Sequence, residues 1–509
     1  ISKKENCMLY TKNTDDLLNV LKAKQLLIDS NVINTSVKKI TFDSRQVEPG
    51  TLFFCKGANF KKQYLLDAQA KGAVVYISEV DYQIDLPHII VKDIRLAMSY
   101  LGKEFYDQPD RKLKLIGVTG SKGKSTTVSY VKAILDHWLT KRKKQPCGII
   151  STIETFDGII NEESTITTPE ALDLFSHLAN AVQSGLEYMV LEVSSQALKY
   201  DRVTGVEFDI VSLLNLGRDH ISPLEHPSYE DYVESKLRIF QMSDTAVFSK
   251  DMENLDLVEQ EIDKLGIRAI SYSAESDNCD YYADKIEFYS GSNHFTVNST
   301  AYSLPGIGSY NIENALCAIA LTEFFGIPKS ESAAALNNIE TLGRDNLYIT
   351  HDKKIICHVS YAHTSLSFDK SFATIEQHFP DYQLIALFGA SGSKGLNRIE
   401  DLPQSAAKHA DFVYLIPDDP GFRKHSEIAS AMAEHLIEAG CPYKIAEQRE
   451  DGIKEAFASA TKSDRKSLLF IAGKGSEHYQ MIGNTPVPIN SDVDVASKLV
   501  SDYNQKIKN

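Results

Sequence analysis

Residues 113–127 read Leu-Lys-Leu-Ile-Gly-Val-Thr-Gly-Ser-Lys-Gly-Lys-Ser-Thr-Thr, a combination suited to holding the phosphates of a nucleotide. Glycines let backbone N–H groups approach anionic oxygens, a lysine meets the terminal phosphates, and a serine hydroxyl can help hold Mg²⁺. The candidate ATP-binding residues here are Thr119, Gly120, Ser121, Lys122, Gly123, Lys124, Ser125 and Thr126. The usual spacing, G-x4-G-K-[ST], would need a glycine where Val118 stands; the shorter Gly120-x-x-Gly123-Lys124-Ser125 is what fits. Two more groups bear on the same chemistry. Glu192, in Leu191-Glu192-Val193-Ser194-Ser195, and the pair Asp219-His220, after Asn215-Leu216-Gly217-Arg218, each follow an apolar run. A carboxylate and an imidazole at adjacent strand ends, beside Ser125, could jointly ligate Mg²⁺.

That reading requires particular elements. The apolar run Leu113–Val118 must be a strand feeding the loop, and a helix must leave it through about Trp138. Tyr188–Val193 and Phe208–Leu216 read as buried strands of the parallel kind. A helix over Asn311–Phe325, stopped by Gly326, closes this central section. Ahead of it, short strands (Val37–Phe42, Leu52–Phe54, Ala73–Ile77, His88–Val91) mix with short helices. They end in an amphipathic helix, Ile94–Tyr106, and the loop Asp107–Asp110. From about residue 343 a second alternation begins: strand Leu384–Phe388, strand Phe412–Ile416, helix Ser426–Glu438, then strand Leu468–Ile471. The expected fold class is α/β in three domains. These are a small N-terminal α/β domain over 1–110, a central doubly wound domain of the P-loop ATPase type over 111–342, and a C-terminal Rossmann-like domain over 343–509. Segments near Pro109 and Gly343 are candidate hinges, so that the third domain could close on the second and exclude water.

Composition narrows the class. At 509 residues the chain exceeds one core, and 43% hydrophobic with 24% charged residues is ordinary for a globular protein. A net charge of −15 argues against wholesale binding to nucleic acid or anionic membrane, so an anionic substrate must meet local positive groups. Cysteines 7, 55, 147, 279, 317, 357 and 441 show no paired spacing, which predicts free thiols and no zinc site. With Lys3, Lys4 and Glu5 in place of an apolar signal core, and no long apolar run, a cytoplasmic protein is expected.

The motifs succeed one another in a telling order: GSKGKS, TTPE (Thr167–Glu170), EVSSQ (Glu192–Gln196), Asp219-His220, Lys236 in Tyr232-Val233-Glu234-Ser235-Lys236, Gly343-Arg344, YAHT (Tyr361–Thr364), DDPG (Asp418–Gly421) and AGKGSEHYQ (Ala472–Gln480). The order resembles the Mur ligases of peptidoglycan synthesis over nearly the whole chain. Within them it is most similar to the members that add the third amino acid of the stem peptide, in the lysine-adding form of streptococci and lactobacilli. The resemblance implies that ATP phosphorylates the D-glutamate carboxylate of UDP-N-acetylmuramoyl-L-alanyl-D-glutamate, and that an amine then attacks the acyl phosphate. It implies that Lys124, Glu192, His220 and Lys236 are catalytic. Ser125, Glu192, His220 and a carbamylated Lys236 would serve Mg²⁺, while Asn314 and Arg344 contact ATP. Ser44, Thr167, Thr168, Ser194 and Arg202 would bind the UDP precursor, making the first domain a UDP-precursor domain. Lys394, Asp418, Asp419 and Glu477 would bind the amino acid in the third domain. Diaminopimelate-adding relatives carry Asp-Asn-Pro-Arg, whose Arg grips a distal carboxylate; Gly421 stands there instead, and an acidic pocket suits a side-chain ammonium. Small-molecule substrates and a monomer are expected.

Three segments depart from the family pattern. Ser360 replaces the aspartate of Asp-Tyr-Ala-His, a residue of the nucleotide site; Pro-Gly-Arg-Met-Glu becomes Leu342-Gly343-Arg344-Asp345-Asn346; Gln196 stands where many members have His. Three functions therefore stay open: a lysine-adding ligase, or one for ornithine or another diamino acid; a Mur-type paralogue with weakened catalysis acting as a binding or regulatory subunit; and a folylpolyglutamate-type ligase.

Overall fold

The computed structural model describes residues 10–57, 60–164, 166–217, 225–289, 291–337, 339, 345–393 and 395–508. Its contacts divide the chain into two compact units: Ile1–Ala283 with Val297–Thr300 and Glu313–Ala335, and Asp284–Thr296 with Ala301–Ile312 and Leu336–Asn509.

The first unit holds two large sheets and a two-stranded one that pairs Lys12–Asn13 with Ser36–Val37. Its N-terminal part runs α1 (Thr14–Ala23), β1 (Leu27–Ser30), β2 (Lys39–Thr41), β3 (Thr51–Phe54), α2 (Lys62–Ala70), β4 (Ala73–Ser78), β5 (His88–Val91) and α3 (Ile94–Phe105). The strands order β1-β5-β4-β3-β2 and are parallel except at β1. Helix α3 starts at Asp93, whose carboxylate accepts the N–H groups of Arg95 and Leu96 at 2.8 and 3.0 Å. Ala97, Met98, Leu101 and Phe105 line its buried face, in one core with Ala171 and Leu172.

The central part follows as β6 (Lys114–Thr119), α4 (Lys124–Thr140), β7 (Gly148–Ile150), β8 (Glu154–Phe156), β9 (Asn161–Glu163), α5 (Ala171–Gln183), β10 (Tyr188–Glu192), α6 (Ser195–Lys199), β11 (Ile210–Leu213), α7 (Tyr229–Leu237), β12 (Thr245–Ser249), α8 (Leu255–Leu265) and β13 (Arg268–Ser273). In the order β9-β8-β7-β10-β6-β11-β12-β13, the six strands from β7 to β13 are parallel. The strand carrying the glycine-rich loop thus lies between β10 and β11, with Glu192 in register with Val118 and Leu213 with Thr119. Leu113, Leu115, Met189, Leu191, Val211 and Leu213 belong to one core beneath these strands.

The turn at Pro109 lies within the first unit. Pro109 and Asp110 are buried. Lys103 pairs with Asp110 at 2.7 Å and with Glu207 at 2.8 Å, and Arg111 forks onto the same Glu207. Buried Asp110 and these ion pairs brace the turn.

In the second unit the C-terminal sheet comprises β14 (Asn346–Ile349), β15 (Ile355–Ser360), β16 (Gln383–Phe388), β17 (Phe412–Leu415), β18 (Tyr443–Ile445) and β19 (Ser467–Ala472). Their order is β14-β15-β19-β16-β17-β18, parallel except at β14. Helices α9 (Ser365–His378), α10 (Arg398–Ala406), α11 (His425–Glu438), α12 (Arg449–Lys462) and α13 (Asp492–Lys508) complete it. Separate apolar cores include Phe368, Phe372, Phe388 and Phe470 in one and Val359, Leu387, Ile453 and Ile471 in the other, so alternate side chains of the strands are covered on both faces.

Candidate active site

The loop of residues 120–123 is built to stay open between strand and helix. Gly123 has φ +85°, and a Cβ there would lie 2.3 Å from Asn314 Oδ1, so both conformation and space demand glycine. Asn314 in turn accepts the Thr127 hydroxyl at 3.3 Å. From the end of β11, Asn215 clamps the loop: its Oδ1 accepts the N–H groups of Ser121 and Lys122 at 3.0 and 2.9 Å, and its amide donates to Lys122 O at 3.1 Å. Lys124 turns its ammonium back onto Gly120 O at 2.9 Å. We expect Gly123→Ala to cost about 1 kcal/mol or more in stability and to raise the KM for ATP; melting temperature and ATP kinetics check this, and an unchanged KM would show that Asn314 simply rotates away.

Glu192, 2% exposed, gathers the groups around the loop. It accepts Ser125 Oγ at 3.0 Å, Thr152 N at 2.9 Å and Thr152 Oγ1 at 3.0 Å. Thr152 continues to Thr167, hydroxyl to hydroxyl at 3.0 Å. Beside it, the Thr168 hydroxyl donates to Glu192 O at 2.8 Å and accepts Ser194 N at 3.0 Å. Ser125 and Glu192 together offer hard oxygen donors of the kind Mg²⁺ takes, which is the fit the chemistry requires. On the other side of the loop, Lys236 from α7 is 1% exposed and donates to Gly120 O at 2.8 Å and Thr119 Oγ1 at 3.4 Å. Its ammonium lies 4.8 Å from the centre of the Tyr232 ring, whose hydroxyl meets Ser121 Oγ at 2.7 Å.

A positive cluster adjoins this region. Glu170 pairs with Lys56 at 2.7 Å and Arg202 at 3.0 Å, with Arg95 at 3.9 Å. Arg202 also donates to Thr168 O at 3.1 Å. Three cations share one carboxylate there; burial and the two arginines hold the Lys56 ammonium below its usual range despite Glu170. Burial pushes the nearby Asp173 carboxyl up. The three cations outnumber Glu170, so this spot of an acidic chain is locally positive. Ser44 stands in the turn after β2, where its carbonyl accepts Lys71 Nζ at 2.8 Å.

In the second unit, chemistry gathers at the C-terminal ends of β15, β17 and β19. Lys474, 1% exposed, pairs with Asp419 at 2.9 Å and with Glu477. Glu477 also accepts the Tyr361 hydroxyl at 2.8 Å. Burial pushes the Glu477 carboxyl up although Lys474 pulls it down; Lys474 is held above its usual range because Glu477, Asp418 and Asp419 outweigh its burial. Asp418 caps its own turn, accepting Asp419 N at 2.6 Å. A Cβ at Gly473 would lie 2.7 Å from the Asp418 carboxylate, and φ +114° also reserves this position for glycine. Behind the pocket, buried Arg449 bonds Asp492 at 2.7 Å and the carbonyls of Pro417 and Ala472 at 2.9 and 2.8 Å, fastening the ends of β17 and β19 together.

Two family models match the sequence: the Mur ligase middle domain over residues 118–322 and the Mur ligase, glutamate ligase domain over 343–475. The chain is 34% identical over 465 residues to the UDP-N-acetylmuramoyl-L-alanyl-D-glutamate--L-lysine ligase of Streptococcus pyogenes serotype M4, covering 91% of this chain and 92% of that protein. The chain belongs to the Mur ligase family. It is 33% identical to the ligase of the same name from Enterococcus faecalis, covering 94% of each chain. Among solved structures it shares its fold with a UDP-N-acetylmuramoyl-L-alanyl-D-glutamate--2,6-diaminopimelate ligase at a TM-score of 0.64 and 23% identity, over 94% of this chain and 97% of that one. A MurF ligase from Thermotoga maritima in complex with ADP follows at 0.56 and 17%, over 92% and 97%.

In this Mur ligase the structure brings together Thr119, Ser121, Lys124, Ser125, Glu192 and Lys236 around one loop, and Thr167, Thr168, Ser194 and Arg202 beside it. Asp419 and Glu477 meet through Lys474. Among the expected site residues, His220, Arg344 and Lys394 lie outside the described residues. The acidic pocket differs from the expectation in one respect: it already contains an ammonium of the chain itself. Lys474, Thr152, Asn215, Lys56, Arg95 and Arg449 were not singled out in the sequence, because each acts on a partner far along the chain.

Proposed function

We propose that this Mur ligase catalyses the ATP-dependent addition of L-lysine to UDP-N-acetylmuramoyl-L-alanyl-D-glutamate in the cytoplasm, releasing ADP and phosphate. The observation that carries the reading is the convergence of Ser125, Glu192 and Lys236 on the glycine-rich loop, and the names of the 33–34% identical relatives support the substrate. The precursor's anionic part fits the Lys56, Arg95 and Arg202 cluster, next to Thr167, Thr168 and Ser194. An oxygen of the D-glutamate carboxylate attacks the γ-phosphorus and the bond to ADP breaks. The lysine amine then attacks the acyl carbon, phosphate leaves, and the amine gives up a proton.

This chain's residues hold the anions together. Lys124 and the loop N–H groups offset the repulsion between carboxylate and triphosphate. Mg²⁺, when bound, supplies further neutralisation of the phosphate oxygens; Ser125 and Glu192 would hold it, with His220 the further ligand the resemblance implies. Lys236 is the residue expected to carry a carbamate, formed from its neutral amine and CO₂ with loss of a proton. The nitrogen keeps one N–H after that reaction, so its bond to Gly120 O can survive. Asn314, which fixes the loop through Gly123 and Thr127, and Arg344 are the expected ATP contacts.

Asp418, Asp419 and Glu477 exceed the single positive charge of Lys474, and that surplus recruits the side-chain ammonium of the incoming amino acid. Lys394 would meet its α-carboxylate. Ornithine is shorter by one methylene, a difference worth about 1–3 kcal/mol in such a pocket. Asp418→Asn is expected to raise the KM for lysine about tenfold or more while leaving that for ATP within about twofold; equal effects on both would make Asp418 a structural cap only.

The deciding assay is phosphate release by the purified protein with Mg²⁺-ATP and UDP-N-acetylmuramoyl-L-alanyl-D-glutamate, adding L-lysine, L-ornithine or meso-diaminopimelate in turn. Lysine-dependent release with the matching product mass is expected. Nucleotide binding without release for any amine would favour the paralogue with weakened catalysis.

A further inference from the structure

The chain entering α7 carries a relay of three polar side chains. His226 is fully buried, and its ring is held at both nitrogens: Nδ1 lies 2.6 Å from Asp231 Oδ2, and Nε2 lies 3.0 Å from Ser195 Oγ. The run His226-Pro227-Ser228 sets this up. Ser228 caps α7 by accepting Asp231 N at 3.2 Å, which places the aspartate in the first turn, within reach of His226. Burial alone would raise the Asp231 carboxyl, but Lys199, at 2.7 Å, and His226 leave it below the usual range. An ionised carboxylate only accepts, so Nδ1 carries the proton, and in the neutral ring Nε2 accepts the Ser195 hydroxyl.

Hydroxyl, imidazole and carboxylate in this order make an activated nucleophile where a substrate can reach the hydroxyl. Here Ser195 is 4% exposed and His226 not at all, so the relay joins elements instead. Ser195 opens α6, which follows β10 and its last residue, Glu192; Asp231 lies in α7. What they join bears on the phosphate loop. The rings of His226 and Tyr232 meet edge to face with centres 5.2 Å apart, and the Tyr232 hydroxyl lies 2.7 Å from Ser121 Oγ. Ser121 Oγ also accepts Gly217 N at 2.8 Å and donates to Gly217 O at 3.0 Å, so Tyr232 is the donor to it. A buried polar network with its partners in place fixes one arrangement where an apolar contact would tolerate several.

We propose that His226 is a positioning residue of the phosphate loop: anchored between Ser195 and Asp231, it sets the place of Tyr232 and, through the Tyr232 hydroxyl, that of Ser121. The strand end bearing Glu192 and the loop bearing Lys124 are then held in one register by a path through α6 and α7. The inference rests on the nucleotide reading of this loop, and direct nucleotide binding tests it apart from the ligase reaction.

A double-variant cycle on Mg²⁺-ADP affinity decides it. His226→Asn keeps an amide N–H for Asp231 but loses the Ser195 bond and the ring contact; Tyr232→Phe removes only the hydroxyl. Each is expected to raise the dissociation constant of Mg²⁺-ADP by about tenfold, and the double variant to bind within about twofold of the weaker single one. The KM for ATP is expected to follow, while that for lysine stays within about twofold. If His226→Asn melts far below the parent, Ser195→Ala, which leaves the imidazole in place, runs the same cycle with a first effect of about threefold. Unchanged nucleotide affinity in folded single variants would overturn the proposal. So would additive effects in the double variant, or equal shifts in all KM values, which would mark His226 as a core histidine that only packs. If the parent binds Mg²⁺-ADP yet releases no phosphate with any amine, the ligase reading fails while the cycle still decides the role of His226.

Discussion

Lys236→Ala is expected to lower kcat by about 10³-fold or more while leaving the KM for ATP much less changed. The side chain is 1% exposed, so its removal does more than delete a surface charge. It opens a cavity beside Tyr232 and leaves Gly120 O without the donor that now lies 2.8 Å away. A cation held there would help bind phosphates, and its loss would appear mainly in the KM. A carbamate acts on the reaction itself, so its loss appears in kcat. Small carboxylic acids such as acetate should partly rescue the variant by placing anionic oxygens in the vacated space, whereas a neutral amide of similar size should not. Full activity in the unrescued variant would remove Lys236 from the mechanism. Equal rescue by acid and amide would reduce its role to packing.

Glu192→Gln is expected to cost about 10²- to 10³-fold in kcat and to weaken the dependence of the rate on Mg²⁺. The carboxylate accepts from three donors at 2.9–3.0 Å, and glutamine can accept at only one of its two terminal atoms. Its amide would confront either Ser125 or Thr152 with a second donor, at about 1–3 kcal/mol for the group left unsatisfied. Melting temperature separates that structural part from the catalytic one. Titrating Mg²⁺ at saturating ATP gives the decisive reading: an unaltered Mg²⁺ response would make Glu192 a brace for Thr152 and nothing more.

How far these residues could be read from sequence depended on the distance over which each one acts. Glycine, lysine and serine of the phosphate loop are consecutive, and Glu192 ends an unbroken apolar run, so local pattern found them. Phe208–Leu216 was expected to continue as strand, but regular pairing ends at Leu213. The next residues are diverted to the loop: Leu214 N bonds Thr119 O at 2.9 Å, and Asn215 clamps Ser121 and Lys122. Nothing in a stretch of apolar residues announces that diversion. Lys474 was likewise visible only as part of a motif, since its partner Asp419 lies 55 positions away. Glu170 was legible as a motif residue, yet the cations it collects come from β3's end, α3 and the segment after α6. The strands Asn346–Ile349 and Ile355–Ser360 were not anticipated; the first is short and only half-buried.

The Pro109 joint carries a last implication. The sheet of β1–β5 and the helices of the sheet that bears the phosphate loop share the core around α3, Ala171 and Leu172, and buried Asp110, paired with Lys103, braces the turn between them. On the proposed function, in which the first sheet takes the nucleotide end of the precursor, that spacing sets a length: a precursor one residue shorter would end about 3.5 Å from the reacting position.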